Sequence, residues 1–183
     1  MIEILAALSA GAAAGMRLGT PLLIIGLLQG SNLWSQVPVL SRISPYVLLA
    51  LFTSWSLFEL FASKKFGGQR ILQLVQLFLS PIVGAIMGLA VASATELPSW
   101  IIALIGGLLA LVLQLVQLGW FYRLRGLPLW AVFLQDSLCI VLVLFALDAP
   151  WQGGLIALTL LWLAIRSAKQ WYQWYWENRQ NRE

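Results

Sequence analysis

Histidine is absent from the chain, and cysteine occurs once in 183 residues. Without histidine there is no side chain whose ordinary proton exchange falls near neutral pH. A lone Cys139 excludes an internal disulfide and a CxxC pair, and leaves no zinc or haem site of the usual ligand types. No cofactor or metal is therefore expected. Charge is scarce too: charged residues make up 10% of the chain and hydrophobic ones 61%, where globular domains carry about 25% charged residues. With a mean hydropathy of +0.87, a soluble domain is excluded. The first residues hold Glu3 and no lysine or arginine, so a cleaved signal peptide with its basic leading region is not expected. No phosphate loop and no serine nucleophile motif occurs.

What is present is long apolar runs, at about 2–29, 45–62, 71–94, 100–121, 129–147 and 151–168. None alternates with period two, so a barrel is excluded and helices remain, since lipid leaves no other way to satisfy the backbone. The expectation is one all-α integral membrane domain over residues 1–183, a bundle of about six transmembrane helices, with an interfacial tail at 169–183. Nine of the eleven basic residues fall on one side of that arrangement: Lys64, Lys65, Arg70, Arg123, Arg125, Arg166, Lys169, Arg179 and Arg182. The opposite loops hold Arg42, with Glu96 and Asp148. The positive-inside rule then places both termini in the cytoplasm, and it accounts for the net charge of +4 without nucleic acid as a partner. Trp34, Trp100 and Trp151 near outer ends, and Trp120 and Trp130 near inner ones, fit an aromatic belt. The tail motif "WYQWYW" (171–176) reads as a headgroup anchor, or else as a surface for a protein partner.

The first run is too long for one crossing and too short for two: 28 residues of helix would be ~42 Å against a hydrocarbon core of roughly 30 Å. Pro21 after Gly19 predicts a kink or break near 19–21, and Pro81 a second kink. Small residues recur every four positions at Gly11, Gly15 and Gly19, and again at Ser80, Gly84, Gly88 and Ala92. That spacing lets helices approach closely, so these are packing residues. The hexapeptide "LQLVQL" occurs at 72–77 and at 113–118. Its glutamines, Gln73, Gln76, Gln114 and Gln117, are placed for hydrogen bonds between helices. No three-plus-three inverted repeat is found.

Three charges lie inside the runs. Arg17 is roughly 15–22 Å along its helix, and Glu59 and Asp136 belong to the inner half. A charge at mid-bilayer costs on the order of 2.5–3.5 kcal/mol on insertion scales, so Arg17 is expected to neutralise Glu59, Asp136 or both. Two readings stay open. The trio is a buried network fixing helix register, or, with Lys64, it lines a polar cavity that takes an ion or small solute.

Four short stretches, "GMR" before Pro21, "ELFASKK" at 59–65, "SPIVGA" at 80–85 and "QDSL" at 135–138, resemble a family of bacterial multi-pass membrane proteins. It includes cyanobacterial members and carries only a domain-of-unknown-function label. The resemblance marks Arg17, Pro21, Glu59, Lys64, Pro81, Gly84 and Asp136. This chain departs from the pattern at Ser63, Ser80 and Gln135, where the family has aspartate, arginine and glutamate. It also implies the bacterial cytoplasmic (inner) membrane, or a thylakoid in a cyanobacterium. The leading expectation is binding or passage of a small ion or solute. The alternative is a non-catalytic scaffold or assembly factor packing against a second copy or other membrane proteins. An intramembrane lipid enzyme using the carboxylates is the third reading; no enzyme activity is expected.

Overall fold

The first apolar run forms two helices rather than one. In the computed structural model, which describes residues 2–29, 43–62, 66–91, 98–124 and 128–180, α1 covers Ile2–Met16 and α2 covers Gly19–Gln29. Arg17 and Leu18 between them are not helical. Five further helices follow: α3 (Pro45–Ala62), α4 (Phe66–Val91), α5 (Ser99–Leu124), α6 (Leu129–Asp148) and α7 (Pro150–Gln180). Lys64, Lys65, Arg42, Glu96, Arg125, Arg182 and Trp34 lie outside the described residues, as do the side chains of most of the aromatic tail.

The chain is a polytopic, all-α bundle that spans a membrane. Among the described residues, Gly68–Val91, Ser99–Arg123 and Trp130–Asp148 are each long and apolar enough to cross. At 31 residues, α7 would extend ~46 Å, past the hydrocarbon core of roughly 30 Å. Neither α1 nor α2, at 15 and 11 residues, is long enough alone.

Composition decides which helix takes the centre. α1 is alanine and glycine over most of its length, and it packs against α4, α5, α6 and α7, with Ala7, Ala10, Ala12 and Ala13 wholly buried. A helix without bulky side chains is what four neighbours can surround at short interaxial distance. A β-carbon on Gly11 would sit 2.6 Å from the carbonyl oxygen of Gly106, and one on Gly15 would sit 2.8 Å from that of Ala110. One on Gly84 would meet Gly106 as well, at 2.6 Å. The two small-residue stripes therefore converge on a third, "GG" at 106–107, where Gly107 lies against the Pro81 carbonyl. α4 runs through Pro81 without interruption.

The same contacts give direction. Leu5 touches Gly154, Ser9 Oγ donates to the Leu142 carbonyl at 2.7 Å, and Met16 meets Gln135. α1 thus runs parallel to α5 and α7 and antiparallel to α4 and α6. The start of α1 lies with the start of α7, and α7 then runs the length of the bundle, so the start of α1 and the end of α7 are at opposite ends.

Candidate functional site

Pro21 explains where the first run breaks. A proline inside a helix lacks its own N–H and crowds the carbonyl four residues back, which here is Arg17. The helix stops at Met16 and restarts at Gly19, so Pro21 falls in the first turn of α2, where its missing N–H costs nothing. The break lies two residues before the Gly19–Pro21 position predicted from the sequence. It frees N–H groups at the start of α2 and carbonyls at the end of α1, in a buried segment.

Side chains from three other helices close those groups. Glu59 on α3, 1% exposed, accepts from Leu18 N at 3.2 Å and from Gly19 N at 3.1 Å. Its carboxylate also accepts from Trp55 Nε1 and Gln76 Nε2, each at 3.1 Å. A carboxylate has about four lone-pair sites to offer, and a helix start favours negative charge, so Glu59 is a cap for α2 supplied by another helix. At the end of α1, Ser80 Oγ on α4 donates to the Ala14 carbonyl at 3.4 Å. Gln135 Nε2 on α6 donates to the Met16 carbonyl. Cys139 Sγ reaches the Ala13 carbonyl at 3.6 Å, which also accepts Arg17 N at 3.1 Å.

Arg17 itself turns to α6. Its Nε lies 2.6 Å from Asp136 Oδ1, an ion-pair contact without hydrogen-bond geometry, and its Nη2 donates to Oδ2 at 3.3 Å. The Arg17 side chain is 5% exposed and that of Asp136 24%. The expected neutralisation of Arg17 therefore falls to Asp136 and not to Glu59, whose oxygens are held by N–H donors. The positive charge also sits at the C-terminus of α1, the favourable end of its dipole.

The two copies of "LQLVQL" meet at this level. Gln114 Nε2 on α5 donates to Gln73 Oε1 at 2.9 Å and lies 3.5 Å from Gln76 Oε1, and Gln76 continues the chain to Glu59. Gln117 Oε1 accepts from Gln135 Nε2 at 2.8 Å. Beside this ladder is a cavity of about 20 Å³ lined by Arg17, Gln69, Leu72, Gln73, Gln76, Val132 and Gln135. That volume admits roughly one water, and five of its seven walls are polar or charged.

The structure thus brings Arg17, Glu59 and Asp136 to one break and separates their partners. Lys64 lies outside the described residues. Gly11, Gly15, Gly84 and Gly88 abut neighbouring helices, and Gly19 lies against the backbone of Ser56. Sequence reasoning missed the capping roles of Ser80 and Gln135 and the wall supplied by Gln69. For Ser80 and Gln135 the available signal was a polar side chain within an apolar run, which the three charges overshadowed; Gln69 lies in the polar break before the run at 71–94 and gave no such signal. Among the described residues no three His, Cys, Asp or Glu side chains cluster as a metal would need.

No curated protein and no solved structure matches the chain. Residues 4–170 match the profile of a domain of unknown function, DUF4126, over nearly the whole chain, including the break, its caps and the glutamine ladder, and the chain belongs to that family.

Proposed function

We propose that this protein binds or passes a small ion or water-sized polar solute at the break between α1 and α2. The observation that carries the reading is a subtraction. Glu59, Ser80 and Gln135 are needed to close backbone groups that the break exposes. Arg17, Asp136, Gln73 and Gln114 close none, and the cavity beside them is polar within an apolar bundle. A discontinuous helix with its ends near mid-membrane is also how many transporters build a solute site. In this reading Arg17 and the glutamine amides face the solute and Asp136 holds Arg17 in place. The protein is not an enzyme, and its membrane is the bacterial inner membrane or a thylakoid.

The proposed topology follows the charges. Arg70, Arg123 and Lys169 mark the cytoplasmic end, so the C-terminus is inside and the N-terminus outside. α1, α2 and α3 then make one net crossing, and α4 to α7 make one each.

The test is flux into vesicles containing the purified chain, across a panel of small ions and polar solutes, for the parent, Gln73→Leu and Arg17→Gln. Loss of a flux seen in the parent, with helix content and melting retained for Gln73→Leu, is the expected result. Flux no greater than in empty vesicles, or unchanged in both variants, would overturn the reading. That outcome favours the scaffold, which the internal closure of Glu59 by four donors independently supports. It predicts co-purification with another membrane protein.

A further inference from the structure

At the end of the bundle that carries Arg123, α5, α6 and α7 do not close on one another. They leave an apolar groove of about 390 Å³, with Leu113, Trp130, Leu134, Leu138, Leu160 and Leu163 among its walls. From Leu113 to Trp120 on α5 is about 10 Å of helix, so the groove reaches from the aromatic belt well into the hydrocarbon region. Beside it lies a recess of about 270 Å³ lined by Leu115, Gly119, Arg123 and Ala168. Both share Val116, Trp120 and Ser167 as walls, and Trp120 Nε1 donates to Ser167 Oγ at 2.8 Å between them.

Gly119 is what opens this recess. Gly11, Gly15, Gly84 and Gly106 each sit where a β-carbon would strike a neighbouring backbone, whereas a β-carbon on Gly119 would meet nothing within 4 Å. Glycine inside a helix is less stable than alanine, and among the described residues no other helix uses the room it leaves.

We propose that groove and recess together hold one anionic phospholipid, its acyl chain in the groove and its phosphate beside Arg123. The two halves match an amphiphile: an apolar channel of ligand-pocket size ends at a guanidinium, whose fork suits phosphate oxygens. Trp120 and Trp130 mark headgroup depth, and basic residues concentrate where anionic headgroups attract them. A second copy of the chain suits the site less, because an apolar helix would leave Arg123 facing lipid without a counter-charge. Gln135 lines both this groove and the polar cavity, so the acyl chain ends one side chain away from Arg17.

The test is native mass spectrometry of the full chain after incubation with vesicles of equimolar phosphatidylglycerol and phosphatidylcholine. The parent retains one phosphatidylglycerol in preference. Gly119→Trp, which has room to fold, fills the recess and removes the retained lipid; Ala168→Trp, on an exposed position of the same recess, does so if Gly119→Trp fails to fold. Arg123→Gln keeps a lipid but loses about tenfold of the preference for phosphatidylglycerol. Equal retention of both lipids by the parent, or retention unchanged in the filling variants, marks ordinary boundary lipid and overturns the site.

Discussion

The two halves of α1 solve the problem of a crowded helix in opposite ways. From Ile2 to Gly11 its contacts are made on bare backbone, with Ala7 against Gly88 and Ser9 against Gly153 of neighbouring helices, and Gly11 itself against Gly106. From Ala13 to Leu18 they send polar side chains instead: Cys139, Ser80, Gln135, Asp136 and Glu59. The carbonyls of the first half all accept from N–H groups of their own helix, so neighbours there need only shape. The second half exposes backbone at the break, so neighbours must carry donors and acceptors. Polarity inside a membrane bundle is therefore first a consequence of where a helix is interrupted. Only the polar groups beyond that requirement argue for a solute.

The largest expected effect comes from the charge pair. Arg17→Met leaves Asp136 without its cation in a mostly buried position, and removing one partner of a buried pair costs about 3–5 kcal/mol. Adding Asp136→Leu removes the stranded charge, so the double variant should regain most of that stability. Thermal or denaturant unfolding in detergent of the two singles and the double measures it. A double variant no more stable than Arg17→Met would mean that the two side chains are not coupled.

Much of this contrast was legible in the sequence, for physical reasons that also mark its limits. Stripes at four-residue spacing announce close packing, but Gly11, Gly15, Gly84 and Gly88 do not say which helix they meet, and Gly106 went unread because "GG" in an apolar run resembles mere flexibility. Pro21 announced a break, since a proline's effect on the carbonyl four residues back is local. The choice between Glu59 and Asp136 as the partner of Arg17 was left open because Glu59 is held by the freed N–H groups of Leu18 and Gly19, and a backbone donor has no letter in the sequence. The glutamine repeats were read as interhelical partners, and Gln114 with Gln73 makes that bond. The direction of α1 was not legible, because the charge count runs over loops and cannot see a half-crossing.

The next effect falls on the other side of the break. Glu59→Gln keeps the shape but replaces two charged acceptors by one neutral one. Hydrogen bonds to charged groups contribute roughly 1.5–3 kcal/mol, and a stability loss in that range is expected. Hydrogen exchange at Leu18 and Gly19 should rise with it, while amides in residues 5–11 stay protected. Protection falling equally along α1 would show that the two halves are not separate in their support.

Gly106→Ala tests the close-packed half. Its new methyl would strike the Gly84 carbonyl of α4, and backbone cannot rotate away as a side-chain tip can. Overpacking of this kind typically costs about 1–3 kcal/mol. Gly119→Ala is the matched control, since it adds the same methyl to the same helix with nothing in reach. It should be neutral or slightly stabilising through helix propensity. Equal losses at both positions would assign the effect to the helix rather than to the contact.

Ser9→Ala should give the smallest change and the sharpest distinction. Ser9 is the polar exception in the close-packed half, and its hydroxyl donates to the Leu142 carbonyl at 2.7 Å. That carbonyl belongs to the continuous helix α6 and so keeps a helical donor when the hydroxyl is gone. An ordinary hydrogen bond contributes about 0.5–1.5 kcal/mol, and the low end is expected here. Ser80→Ala removes a hydroxyl that also binds a carbonyl, but the Ala14 carbonyl is in the last turn of α1, where the helix supplies no donor of its own. Its loss should exceed that of Ser9→Ala even though its bond, at 3.4 Å, is the longer one. The reverse order would mean that bond length, and not the break in the helix, sets what a polar side chain contributes in this bundle.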